Sequence, residues 1–141
     1  MNLTIHPVAR LSGSLIVPGD KSITHRALLL GGLGDGASRI EGYLDGGDCR
    51  ATIGCMQALG VEIEHRDPAT LVVHGRGLRG LREPEDVLNC VRSGTTMRLL
   101  AGLLAGQPFY TVLGGEAQLR RILREYAAYF NTARPHQGLW Q

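Results

Sequence analysis

No stretch of this chain approaches the roughly 20 consecutive apolar residues that a membrane-spanning helix needs. The N-terminus also lacks a charged segment followed by a hydrophobic signal core. A soluble, cytoplasmic protein without a membrane partner is expected. Cysteine is sparse: Cys49, Cys55 and Cys90 are odd in number and show no CxxC spacing, which argues against a disulfide framework and against a zinc site. His6, His25, His65, His74 and His136 include no i, i+4 pair, so a solvated or capping role is expected for each, with no metal and no cofactor. Excess charge is low as well. Fifteen Lys and Arg against 13 Asp and Glu leave a formal charge of +2, too mild and too scattered for nucleic-acid binding. The one basic cluster is Arg120, Arg121 and Arg124, which reads as the solvated face of a helix.

What the chain does have is enough apolar material for a core. With 43% hydrophobic residues in a length of 141, it can form one ordinary domain. Its most informative segment is Pro18-Gly19-Asp20-Lys21-Ser22-Ile23-Thr24-His25-Arg26. Pro18 and Gly19 break the strand-like run at 14–17, and the apolar series from Ala27 to Leu30 continues as a helix until Gly34-Asp35-Gly36 stops it. The free N–H groups of a helix's first turn favour an anion. Lys21 sits at that mouth, and Ser22 and Arg26, four residues apart, project from one face. Phosphate or carboxylate is the natural ligand; the plainer alternative is that Asp20 or Ser22 caps the helix and the two cations are solvated.

Patterning predicts strands at 3–5 and 14–17, a helix over 22–33, a strand at 38–43 and a helix over 48–59. Strict alternation in Val61-Glu62-Ile63-Glu64-His65, a turn at Arg66-Asp67-Pro68 and the run Leu71-Val72-Val73-His74 predict an antiparallel hairpin. Residues 75–87, rich in Gly, Pro and charge, read as a connection before a helix over 95–105 and a strand at 109–113. The order is a β-α-β-α-β-β unit followed by a second, shortened one.

The segment PGDKSITHRALLLGGLGDG is similar to the N-terminal signature of the 5-enolpyruvylshikimate-3-phosphate synthase family, enzymes of the shikimate pathway. Two further runs resemble family segments in order and spacing: Leu44-Asp45-Gly46-Gly47-Asp48-Cys49-Arg50-Ala51-Thr52, and Arg92-Ser93-Gly94-Thr95-Thr96-Met97-Arg98-Leu99-Leu100. The resemblance covers residues 3–121, roughly the first quarter to third of a family member. It implies an α/β fold, part of an enolpyruvyl transferase α/β prism with helices inside and sheets outside. It also implies that Lys21, Ser22 and Arg26 hold shikimate 3-phosphate, with Lys21 facing phosphoenolpyruvate, and that Gly94 and Thr95 lie at the phosphoenolpyruvate or glyphosate site.

Two departures from the family pattern stand out. Arg92 replaces an asparagine beside the enolpyruvyl site, and Ile122 falls where the family has the arginine that grips the phosphoenolpyruvate carboxylate. Arg92, Arg121 and Arg124 are candidate anion contacts, but a helix turns about 100° per residue, so neither Arg121 nor Arg124 points where residue 122 does. From residue 120 onward the sequence changes character, and Tyr129-Phe130-Asn131-Thr132-Ala133-Arg134-Pro135-His136-Gln137-Gly138 resembles the C-terminal end of integrase-core transposases. The chain accordingly divides into an enolpyruvyl-transferase-like part at 1–119 and a tail at 120–141. That tail carries none of a transposase's metal-binding carboxylates. Leu119, Ile122, Leu123, Tyr126, Ala127 and Phe130 recur at helical spacing, which predicts an amphipathic helix ended by Pro135.

The function implied is enolpyruvyl transfer from phosphoenolpyruvate to shikimate 3-phosphate, in a fragment that keeps part of the site without turnover of its own. The alternatives are a non-catalytic binder of glyphosate or shikimate 3-phosphate, a partner that complements a host synthase, and a folded relic. The UDP-N-acetylglucosamine enolpyruvyl transferase branch shares the fold but not the lysine, serine and arginine grip. Self-association into a homo-oligomer is expected through the strand at 109–113 or the tail helix.

Overall fold

The computed structural model describes residues 12–115 together with 4, 6, 7 and 10. Helix α1 spans Lys21–Leu33. It starts where Asp20, in extended conformation, accepts a 2.8 Å hydrogen bond from the Ile23 amide through its side chain. That cap satisfies one of the free N–H groups of the first turn and sets the boundary one residue before the expected start. The helix ends at Gly34, whose amide donates to the carbonyl of Leu30 at 2.9 Å. Strand β1 (Asp35–Glu41), helix α2 (Gly47–Ala58) and strands β2 (Glu62–Asp67) and β3 (Thr70–Arg76) follow. A short β4 (Leu88–Asn89), helix α3 (Gly94–Leu104) and β5 (Leu113–Gly114) complete the described elements.

The main sheet is antiparallel in the order β1-β3-β2. Alternation divides its faces. Leu71 and Val73 point inward beside Ile40, Ser38 and Ile63, while Glu62, Glu64, His74 and Arg39 share the other face. Helix α1 lies close on the inner face because Gly31 has no side chain: a Cβ there would sit 3.3 Å from Ser38 Cβ and 3.4 Å from Val73 Cβ. Leu28, Met56, Leu59, Leu71, Val73, Leu88 and Leu100 are fully buried in one cluster joining the sheet, the three helices and β4. Each such side chain removed from water contributes about 1.5–3 kcal/mol.

Three expected strands differ from those observed. Residues 14–17 are irregular, with Leu15, Ile16 and Val17 exposed at 81%, 100% and 69%, and no described strand pairs with them. A short apolar run supplies strand propensity but not a partner, and without a ladder it does not become a strand. The strand expected at 38–43 begins and ends earlier, at Asp35–Glu41, and Tyr43 turns into the core beyond it. The strand expected at 109–113 shrinks to Leu113–Gly114, paired in parallel with β4. Leu88 donates to the Val112 carbonyl at 2.9 Å and Cys90 to the Gly114 carbonyl at 2.7 Å, while Tyr110 is 93% exposed. The observed order is therefore α-β-α-β-β followed by β-α-β. The expected strand at 3–5, of which only Thr4 is described, and the tail helix at 119–130 lie outside the described residues. Among the described residues no helix is long and apolar enough to cross a membrane.

Candidate functional site

The first turns of α1, α2 and α3 are tied to one another. Lys21, the first residue of α1, donates from Nζ to Asp48 Oδ2 at 2.9 Å, and Asp48 lies in the first turn of α2. The Asp48 backbone carbonyl in turn accepts from Thr96 Oγ1 of α3 at 3.4 Å. Asp48 is thus the common neighbour of the Lys21 cation and of the turn that carries Gly94 and Thr95. Pro18-Gly19 delivers the chain to this point through a close backbone approach: a Cβ on Gly19 would lie 2.6 Å from the Leu44 amide nitrogen and 2.7 Å from the Tyr43 carbonyl carbon.

Beneath these turns runs a buried row of hydrogen bonds. His25 Nδ1 is 2.7 Å from Thr52 Oγ1, Thr52 Oγ1 is 2.7 Å from Thr96 Oγ1, and Thr96 Oγ1 is 2.7 Å from Ser93 Oγ. Ser93 also caps α3 by accepting from the Thr96 amide at 3.1 Å. His25, Thr52 and Thr96 are fully buried. The solvated or capping role expected of His25 is therefore wrong. It shares the inward face of α1 with Leu28 and Leu29, three and four residues on, and that spacing was the available signal.

The electrostatics follow from these contacts. The hydrogen bond that Lys21 donates to Asp48, and the charge of that carboxylate, raise the Lys21 pKa above the ordinary lysine value, and burial lowers that of His25, favouring the neutral imidazole. Burial likewise raises the Cys49 and Cys90 thiols and pushes Cys55 up to about 12. All three cysteines are buried and unpaired by any disulfide.

The remaining expected site residues fall as follows. Ser22 and Arg26 are exposed on the first turns of α1, and Arg26 Nη1 donates to the Ser22 carbonyl at 3.0 Å. Arg92 is exposed in the turn before α3. That turn is strained, since Val91 has φ 51°, a left-handed conformation that a β-branched residue rarely adopts; the Asn89 side chain holds it by accepting from the Val91 amide at 2.9 Å. A Cβ added to Gly94 would meet no atom within 4 Å, so the backbone there faces open space. Arg121, Arg124 and Ile122 lie outside the described residues. Two surface hollows, of about 540 Å³ beside α2 and β4 and about 590 Å³ around Tyr43, Asp45 and His65, are lined by none of Lys21, Ser22, Arg26, Gly94 or Thr95.

A possible metal-holding group on the outer sheet face was invisible to spacing within single helices. Glu62, Glu64 and His74 bring one ligand atom each within 4.8 Å of the others. Glu64 is already engaged by His74 at 2.7 Å and by Arg66.

The model of the family described as EPSP synthase (3-phosphoshikimate 1-carboxyvinyltransferase) matches residues 5–121. The chain belongs to the EPSP synthase family. It is 58% identical over 120 residues to the 3-phosphoshikimate 1-carboxyvinyltransferase of Herpetosiphon aurantiacus, covering 85% of this chain and 28% of that protein. It is 54% identical over 121 residues to the protein of that name from Pelotomaculum thermopropionicum, covering 86% and 28%. A structure of EPSP synthase from Acinetobacter baumannii superposes with a TM-score of 0.73 at 39% identity, covering 77% of this chain and 24% of that one. The α/β architecture is thus that of EPSP synthases, and the chain spans about 28% of the length of the relatives it matches.

Proposed function

We propose that this chain forms part of an enolpyruvyl-transfer site, binding shikimate 3-phosphate through Lys21, Ser22 and Arg26, and phosphoenolpyruvate or glyphosate beside Lys21, Gly94 and Thr95. The observation that carries this reading is the shared attachment to Asp48, which draws together a cation and two helix N-termini, ends at which the helix dipole favours an anion. A compact ammonium can serve two anions, and a guanidinium fork suits phosphate oxygens. Arg92, Arg121 and Arg124 would supply further positive charge near the second anion.

Turnover by the chain alone is not part of this proposal. Enolpyruvyl transfer proceeds through a tetrahedral intermediate that needs proton donors and acceptors on both faces of the reacting carbon. In the family these come mainly from a second domain. Absent charge stabilisation and water exclusion each raise the barrier by several kcal/mol. The same reading takes residues 120–141 as a transposase-derived tail on the resemblance of its sequence; the family match ending at residue 121 bears only on where the enolpyruvyl-transferase-like part stops. It places the protein in the cytoplasm, as a homo-oligomer. A binder of glyphosate or shikimate 3-phosphate, or a partner for a host synthase, uses the same residues.

The test is calorimetric titration with shikimate 3-phosphate. Saturable binding that is lost in Lys21→Ala and Arg26→Ala, with the fold retained, supports the site. Absence of binding at millimolar ligand overturns it.

A further inference from the structure

The row of buried hydrogen bonds does more than satisfy polar groups. Thr52 sits on α2, outside both anion-binding turns, yet its one hydroxyl reaches His25 of α1 and Thr96 of α3, each at 2.7 Å. A hydroxyl carries a single proton, so it donates to one neighbour and accepts from the other, and both distances are short enough for strong bonds. His25 has no second partner to fall back on: its Nε2 is buried and unbonded among the described residues. Thr96 is bound on its far side to the Ser93 cap and to the Asp48 carbonyl. Displacing α1 relative to α3 by even an ångström would strand buried polar atoms on two helices, at a cost apolar contacts would not impose.

On the proposed function, on which this inference rests, the two anions bind to different helices. We infer that Thr52 is a positioning residue for the site: it touches neither ligand, but fixes the turn bearing Gly94 and Thr95 against the turn bearing Lys21 and Ser22. An apolar residue of the same shape at 52 would keep the core filled and release that registration. The effect falls on the second anion, which must be gripped from both turns, and not on the first, which is held by α1.

The experiment uses the whole chain, with shikimate 3-phosphate alone and then glyphosate at saturating shikimate 3-phosphate, in the wild type and in Thr52→Val, Thr52→Ser and Thr96→Val. Thr52→Val should keep its affinity for the first ligand within about twofold and lose about tenfold for the second, the loss of one or two buried hydrogen bonds. Thr52→Ser, which restores the hydroxyl, should match the wild type for both. Thr96→Val removes the α3 end of the row, together with the same hydroxyl's contacts to Ser93 and to the Asp48 carbonyl, and should reproduce the selective loss; it decides the matter where Thr52→Val does not fold by thermal melting. Folded valine variants that bind glyphosate like the wild type, or lose both ligands equally, overturn the inference. So does a wild type that takes up shikimate 3-phosphate but not glyphosate. A wild type that takes up neither overturns the proposed function and this inference with it.

Discussion

Lys21 Nζ stands 2.9 Å from Asp48 Oδ2, so the cation at the mouth of α1 is already paired with an acid on the next helix. An arriving anion must compete with that carboxylate. Asp48→Asn, which removes the charge and keeps the shape, should bind shikimate 3-phosphate several-fold more tightly, within the roughly 0–1 kcal/mol typical of an exposed pair. Unchanged or weaker binding by calorimetry would show that Asp48 orients Lys21 more than it competes for it.

Gly19 and Gly94 should respond oppositely to the same substitution. Gly19→Ala forces a Cβ against the backbone of Gly42, Tyr43 and Leu44 and should destabilise the fold by about 1–3 kcal/mol. Gly94→Ala adds its methyl in open space, so the melting temperature should hold while affinity for glyphosate or phosphoenolpyruvate falls. Denaturant unfolding and titration of both variants separate the two effects.

His25 predicts a pH dependence of stability. Its folded pKa is lowered by burial below 6.5, so as pH falls through 6.5 the unfolded chain takes up a proton that the native protein refuses. Stability contributed by the neutral imidazole is present in full above pH 6.5 and declines below it, with a slope of at most about 1.4 kcal/mol per pH unit for one group. His25→Gln should be less stable overall but flatter between pH 7.5 and 5.5. Parallel curves for the two proteins would contradict this.

The three thiols should be inert in the native state. Cys49 and Cys90 are fully buried and Cys55 is 2% exposed, and burial raises all three pKa values. A colorimetric thiol reagent at pH 8 should titrate none of them promptly, and all three after denaturation.

Self-association should be concentration-dependent. Tyr110 and Val112 stand exposed beside a described ladder of only two residue pairs, and so short a ladder is an edge to which another chain can add. Sedimentation velocity should show the average mass rising with loading concentration, and a monomer at every concentration would refute the expectation.

How far the sequence could be read depended on whether the information was local. α1 was legible because the Pro18-Gly19 break, the Asp20 cap and the Gly34 stop all lie within its own segment. The β2–β3 hairpin was legible because alternation and a turn occur together. β4 and β5 were not, since a two-residue ladder has no period and depends on where α3 returns the chain. The pairings of Thr52 with His25 and Thr96 join residues 27 and 44 positions apart, and nothing in the flanking sequence of any of them announces a partner. Lys21 was legible from its place at a helix start and Gly94 and Thr95 from motif resemblance, whereas Asp48's part in joining their turns appears only in three dimensions.

The extended run Leu15-Ile16-Val17 carries a practical consequence. Three adjacent apolar side chains on a backbone that pairs with no described strand offer any unfolded or neighbouring chain a template for intermolecular β-structure, with no proline or charge among them to interrupt it. Solubility on storage should therefore be set by these three positions. A lysine at residue 16, where the side chain is wholly in solvent, is the change that would lengthen the shelf life of the purified protein without disturbing its core.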